Sequence, residues 1–256
     1  EIHPVIGSLN DPSTYLATAE RCSVLITAAE DHSNAESLDK MTIEGLLGVG
    51  NKGPQPKTFI CTSGVWVYGD SGPVAVDESS PVNPVRLKPW RPDHEEMVLG
   101  ASNVRGIVVR PGCVYGRQGG MTDFWFAGPS KGQSPLVVGD GRNRWAMIHV
   151  DDLANGYTKV VESGRSAEIF NFTDRSRHTV LEMAAAAARA AGYQGPLQTT
   201  PLADATSKLG LFAECLALDQ HVDSRKAVRM LGWQPRHGGF VDEVDTYYAA
   251  WKAYRT

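Results

Sequence analysis

The 256-residue sequence predicts an α/β fold: a doubly wound parallel sheet with a smaller helical lobe at its C-terminal end. Short, unbroken β-branched runs alternate with helix-type segments through the first half. Unbroken apolar strands separated by helices belong to a parallel sheet covered on both faces. Beyond Thr179 the chain turns mostly helical, which supplies the lobe.

The elements follow in order. Asp11 and Pro12 open a helix as N-cap and first helical residue. Residues 23–27 form a first strand, and residues 34–47 a helix with Leu38, Met41, Leu46 and Leu47 at roughly helical spacing, closed by Gly48. Residues 57–61 are a strand, 92–101 a helix with Pro92 in its first turn, and 105–110 a strand. Glycines then break up residues 116–132, around Phe124, Trp125 and Phe126. Residues 146–150 form a strand leading through Asp151 and Asp152 into a helix to Val161, and 168–172 a further strand. An Ala-rich helix over 183–191 and a closing segment over 240–254 complete the lobe. These boundaries assign 1–116 and 145–174 to the core and 117–144 and 175–256 to the lobe.

Composition narrows the function. Lys and Arg number 25 against 29 Asp and Glu, a net charge of −4 with no basic block, which argues against nucleic acid or an anionic membrane as partner. No apolar run approaches the ~18–20 residues of a spanning helix. Cys22, Cys61, Cys113 and Cys215 are widely spaced without a CxxC, which suits reduced thiols and a soluble intracellular compartment rather than a disulfide framework or zinc site. The seven histidines show no metal-ligand spacing, so no metal is expected.

Three segments carry a family resemblance: Thr62-Ser63-Gly64-Val65-Trp66-Val67-Tyr68-Gly69, Arg110-Pro111-Gly112-Cys113-Val114-Tyr115-Gly116, and Ile148-His149-Val150-Asp151-Asp152-Leu153-Ala154. With Leu231-Gly232-Trp233-Gln234-Pro235 near the end, the chain resembles the extended or atypical short-chain dehydrogenase/reductase superfamily, in its NAD-dependent epimerase/dehydratase branch. The resemblance implies a Rossmann-type core with NAD or NADP across the carboxyl ends of the strands. It places the cofactor against Ser8 and Leu9, Thr27, Ala28 and Ala29, Thr62, Ser63 and Gly64, and Arg110, Pro111, Gly112 and Val114. Ser8 stands where the family usually has an adenine-contacting Asp. His149 falls where the family caps a helix.

The chain departs from the family in three places. The Gly-rich turn that receives the pyrophosphate belongs upstream of Val5, so the sheet is expected to lack its first βαβ unit, and a complete member would carry on the order of 40–60 more residues. Cofactor binding is therefore expected only where that turn is supplied. Counting from Tyr68, the catalytic Tyr-x-x-x-Lys pair falls at Trp90 and His94; Trp90 cannot exchange a proton, whereas His94 can. The assisting Ser or Thr falls at Gly64, with Ser63 one residue early and so on the opposite strand face.

Two short motifs read as loops. Gly48-Val49-Gly50-Asn51-Lys52-Gly53 spells GxGxxG but follows a helix and precedes a strand, the reverse of a dinucleotide turn. Gly128-Pro129-Ser130-Lys131-Gly132 spells a nucleophile elbow without the preceding strand. Sugar-nucleotide enzymes place an arginine on the substrate diphosphate where Trp145 aligns here, and Arg144 is one residue off. The expected protein binds NAD(P) and a small polar substrate such as a sugar nucleotide, with His94 and Ser63 as proton handlers and Arg144 as anion contact. The alternative is a catalytically silent relative serving as an assembly subunit, its open sheet covered by a second copy or a partner chain.

Overall fold

The computed structural model describes residues 1–50, 52, 55–117 and 119–255. In chain order these form α1 Ser13–Ala19, β1 Val24–Thr27, α2 Ala35–Gly50, β2 Lys57–Thr62, β3 Ala75–Val76, α3 Arg91–Leu99, β4 Val104–Pro111, β5 Cys113–Gly116 and β6 Gly119–Gly120. They continue with α4 Asp123–Ala127, β7 Met147–His149, α5 Val150–Glu162, β8 Glu168–Phe172, α6 Val180–Ala190, α7 Leu202–Leu209, α8 Phe212–Leu216, β9 His221–Val222, α9 Arg225–Leu231 and α10 Val244–Ala253.

The central sheet is parallel throughout, in the order β1-β2-β4-β8. Phe59, Ile60, Ile107, Val109 and Phe170 have no exposed surface, as their unbroken apolar runs require. Among the described residues β1 is paired on one side only, and Ile26 on it is 46% exposed. A smaller sheet, β6-β5-β7, continues from the end of β4 and carries the chain toward the helical lobe.

Close approaches explain several glycines. A Cβ on Gly106 would stand 2.0 Å from the Val98 carbonyl, so α3 lies directly on β4. A Cβ on Gly50 would meet Val104 Cγ1 at 2.1 Å, and α2 runs through Gly48 and Val49 to Gly50 instead of stopping at Gly48. Within the GxGxxG spelling those three residues are helical, while Asn51 and Gly53 lie outside the described residues. Lys57, buried in β2, donates from Nζ to the carbonyls of Glu20 (2.8 Å) and Cys22 (2.7 Å), which satisfies acceptors at the end of α1.

The helical lobe packs around Trp125, Phe126, Trp145, Met183, Phe240, Tyr247 and Trp251. Most of the aromatic residues near the C-terminus are thus core, although Tyr254 is 63% exposed. A capping box, with Thr179 and Glu182 exchanging side-chain and backbone bonds, starts α6. Ser130 sits in a tight turn after α4, without a strand before it.

Candidate functional site

The carboxyl ends of β1, β2 and β4 open onto one cleft of about 330 Å³. Each strand delivers residues with little side chain there: Ala28 and Ala29 after β1, Gly64 after β2, Gly112 after β4. Gly112 has a second reason to be glycine, because a Cβ would meet the Ala146 carbonyl at 2.5 Å. Thr27, Thr62, Ser63, Pro111 and Val114 also line the cleft.

Two hydroxyls at this cleft lack partners. Ser63 Oγ is buried and makes no hydrogen bond, and Thr27 Oγ1 has only the Cys61 thiol near it. Buried polar atoms are ordinarily bonded, and Thr27 and Ser63 stand at adjacent strand ends that line the cleft. Thr62 differs: its hydroxyl lies 2.5 Å from Tyr157 Oη. Burial pushes the thiols of Cys61 and Cys113 up to about 12, so neither offers a thiolate.

A charged chain that the sequence reading missed borders the same cleft. Lys88 pairs with Glu30, and Arg91 with Asp39 at 3.0 Å. His94 Nδ1 stands 2.6 Å from Asp39 Oδ2. Burial acts to raise the Glu30 pKa, but the hydrogen bond and charge of Lys88 outweigh it and hold the carboxyl below its usual range. Lys88, Arg91, Glu30 and Asp39 all line the cleft. The signal for Lys88 and Arg91 was present in Lys88-x-x-Arg91-x-x-His94, whose spacing of three puts the residues on one side of a helix start.

Several residues of the expected site lie outside this cleft. His94 is buried behind Asp39 and does not line the cleft, because it sits one helical turn deeper than Arg91. Arg110 also turns away. Its guanidinium is buried against the Glu95 carboxylate, with Nε 3.0 Å from Oε1, and donates to Tyr68 Oη at 2.8 Å. Tyr68 in turn donates to Asn171 Oδ1 at 2.9 Å, so Arg110 ties β4, α3 and β8 together. Ser8 and Leu9 lie in a surface turn, where Thr14 Oγ1 accepts from the Ser8 amide. Neither lines the cleft.

A model of the NAD dependent epimerase/dehydratase family matches residues 44–172, half of the chain. The chain belongs to this family. An uncharacterized protein of Schizosaccharomyces pombe is 25% identical over 264 residues, covering 96% of this chain and 84% of that protein. The structure of dTDP-glucose 4,6-dehydratase from Bacillus anthracis in complex with NAD superposes with a TM-score of 0.81 at 16% identity, covering 96% of this chain and 78% of that one. Human epimerase family protein SDR39U1 with NADPH gives 0.77 at 21% identity, covering 91% and 86%.

Against the family pattern, Trp145 is 6% exposed and stacks on Trp125 at 4.8 Å, filling the lobe core. Arg144 and Trp145 both line a second cleft that shares no residue with the first. His149 fulfils the capping expectation: its Nδ1 accepts from the Asp151 amide at 3.1 Å and starts α5. Burial, then the nearby His237, lower its pKa. His149, Asp151 and His237 bring potential metal-binding atoms within 4.8 Å of one another. The two rings stack at 3.5 Å and 24°, so their in-plane lone pairs run side by side and do not converge on an ion.

Proposed function

We propose that this protein binds the nicotinamide half of NAD or NADP across the ends of β1, β2 and β4 and acts on a small polar substrate beside it, of which a sugar nucleotide is one. The observation that carries the reading is the cleft itself, where Thr27 and Ser63 stand with alanine and glycine at the ends of parallel strands. Small residues admit a flat ring, and unpaired hydroxyls supply what a polar ring substituent or substrate oxygen needs. When bound, the cofactor supplies hydride exchange at a carbon bearing a hydroxyl or carbonyl.

The residues divide the remaining work. Ser63 Oγ can donate its proton to a substrate oxygen or accept one from it. Asp39, held by His94 Nδ1 and Arg91, forms with His94 a dyad at the cleft edge that takes up or returns a proton. His94 acts through Asp39, without touching substrate. Lys88 and Arg91 fix the carboxylates and keep this wall close to neutral. The pyrophosphate needs backbone N–H donors beside β1, of the kind a Gly-rich turn supplies.

The experiment is a fluorescence titration with NADH and with NADPH, followed by a screen of sugar nucleotides with the cofactor that binds. Saturable binding and turnover, with turnover lost in His94→Ala, are the expected results. Turnover unchanged in His94→Ala removes the dyad from the mechanism.

One observation favours a second reading, a catalytically silent assembly subunit. None of the three triad positions presents a proton-exchanging group at the cleft: Gly64 has no side chain, Trp90 has only an unbonded buried indole N–H, and His94 is tied to Asp39. In that reading the free edge of β1, with Ile26, is covered by a strand from a second copy or a partner chain. No binding at millimolar NADH or NADPH supports it.

A further inference from the structure

The lining of the first cleft is of two kinds. Its charged residues are Glu30, Asp39, Lys88 and Arg91, two carboxylates against two cations, so its formal charge is zero. Neither cation is free. Lys88 donates to both oxygens of Glu30, and Arg91 pairs with Asp39 at 3.0 Å. A sugar nucleotide brings a diphosphate, whose removal from water needs a countercharge. Here it would find both cations already paired and two carboxylates beside them. The cleft is also small: about 330 Å³, near the low end of the roughly 300–1,000 Å³ usual for ligand sites, and the nicotinamide ring takes part of it.

The other kind is apolar. The short helical turn Val65–Tyr68 after β2 brings Val65, Trp66 and Val67 to the cleft, and the turn after β6 brings Met121. Val65 and Val67 are buried, whereas Trp66 and Met121 are half-buried and so supply the apolar surface. Both are held from behind. The Trp66 ring meets Phe212 of α8 edge-on at 6.1 Å, and Phe212 meets Phe124 of α4 at 5.8 Å. Met121 packs on the lobe core alongside Phe124 and Phe212. An indole and a thioether fixed in this way suit a flat apolar ring, through ring-on-ring and sulfur-on-ring contact.

We infer that the substrate of this cleft is a small uncharged aryl ketone or aldehyde, its ring seated on Trp66 and Met121 and its carbonyl oxygen toward Ser63, with Trp66 and Met121 setting the specificity. The inference rests on the cofactor reading proposed above, and it narrows the substrate to a molecule polar only at its reacting group. The carbonyl carbon gains a hydride from the reduced nicotinamide cofactor, and the oxygen gains a proton from Ser63 or the Asp39–His94 dyad. The products are the alcohol and the oxidised cofactor.

The test is a ligand-observed NMR titration of the full chain with acetophenone, dihydroxyacetone and UDP-glucose, each alone and with NADH or NADPH. It compares wild type, Trp66→Leu, Met121→Ser and Leu202→Ala, the last a 41% exposed apolar residue outside the cleft. Met121→Ser leaves the Trp66–Phe212 contact in place, and circular dichroism checks that each variant is folded. Acetophenone is expected to bind saturably, at least tenfold more tightly than dihydroxyacetone, with no binding of UDP-glucose. Trp66→Leu should weaken it about tenfold and Met121→Ser several-fold, while Leu202→Ala matches wild type. Absence of acetophenone binding overturns the inference, as does tighter binding of dihydroxyacetone or UDP-glucose. Unchanged affinity in both cleft variants, or an equal loss in Leu202→Ala, also overturns it. The two readings fail separately: NADH or NADPH bound without acetophenone overturns the substrate class alone, and acetophenone bound through Trp66 with neither cofactor bound overturns the cofactor reading alone.

Discussion

Replacing Glu95 with Gln tests the assignment of Arg110 to architecture instead of cofactor binding. The Arg110 and Glu95 side chains are 4% and 3% exposed, so the pair is withdrawn from water. Glu95 accepts from Arg110 Nε at 3.0 and 3.2 Å and from its terminal nitrogen, while Arg110 also donates to Tyr68 Oη. Gln keeps the shape but removes the countercharge, leaving a buried guanidinium uncompensated. Breaking such a pair costs about 3–5 kcal/mol, because desolvation of the survivor is no longer offset. Urea unfolding of the single variant should show that loss with an unchanged m-value. The double variant Glu95→Leu/Arg110→Met should lose less than Glu95→Gln, since no charge is left buried, although Tyr68 gives up one partner. A single-variant loss below about 1 kcal/mol, the range of an exposed pair, or a double variant worse than the single, would refute the reasoning.

Other consequences are equally open to measurement. Gly106→Ala should destabilise by about 3 kcal/mol or more, because its Cβ would stand 2.0 Å from a backbone carbonyl, whereas Gly64→Ser, whose Cβ meets nothing nearer than 3.9 Å, should leave the urea midpoint nearly unchanged. Burial raises the Asp174 pKa, so its contribution to stability is complete below its unfolded value near 3.8 and is lost as pH rises through the higher folded value. Asp174→Asn should therefore be more stable than wild type at pH 7, and the difference should shrink in acid. His149 has the opposite sense: its lowered pKa gives stability that is present above the unfolded value near 6.5 and lost as pH falls through the folded one. Protonation also removes the Nδ1 acceptor that caps α5. Unfolding free energy should drop from pH 7.5 to 5.5 in wild type and drop less in His149→Asn.

The architecture was largely legible because it rests on local pattern. The apolar runs of β2 and β4, Pro92 at the start of α3 and the strand-to-helix junction at His149 each announce an element within a few residues. The two-residue ladder of β3 with β9 could not be read, since Ala75 pairs with His221 far along the chain and neither segment has strand character by itself. Gly48 and Gly50 resemble a helix stop, and only the closeness of Val104 shows why residue 50 is glycine inside the helix.

At the candidate site the backbone positions were legible and the side-chain directions were not. Thr27 through Ala29, Thr62 through Gly64, and Pro111 through Val114 reach the cleft because strand ends in a parallel sheet converge there. Arg110 could not be sorted from them without knowing that Glu95 lies beneath it. His94 shows the same limit: one helical turn separates a residue at the cleft from one behind it, and counting along the sequence cannot resolve a turn. Arg144 and Trp145 differ by one position, yet Trp145 is drawn into the lobe core against Trp125 while Arg144 stays half exposed.

The cleft at the ends of β1, β2 and β4 is the proposed seat of the nicotinamide cofactor. Ala28 lines that cleft and is exposed, so Ala28→Trp fills it without disturbing the core. The decisive measurement is a titration of native-length wild type and Ala28→Trp with NADH and NADPH, following fluorescence, with circular dichroism confirming that both are folded. Saturable binding in wild type that vanishes in Ala28→Trp is the predicted result. Absence of binding in wild type, or the same affinity in both proteins, would contradict it.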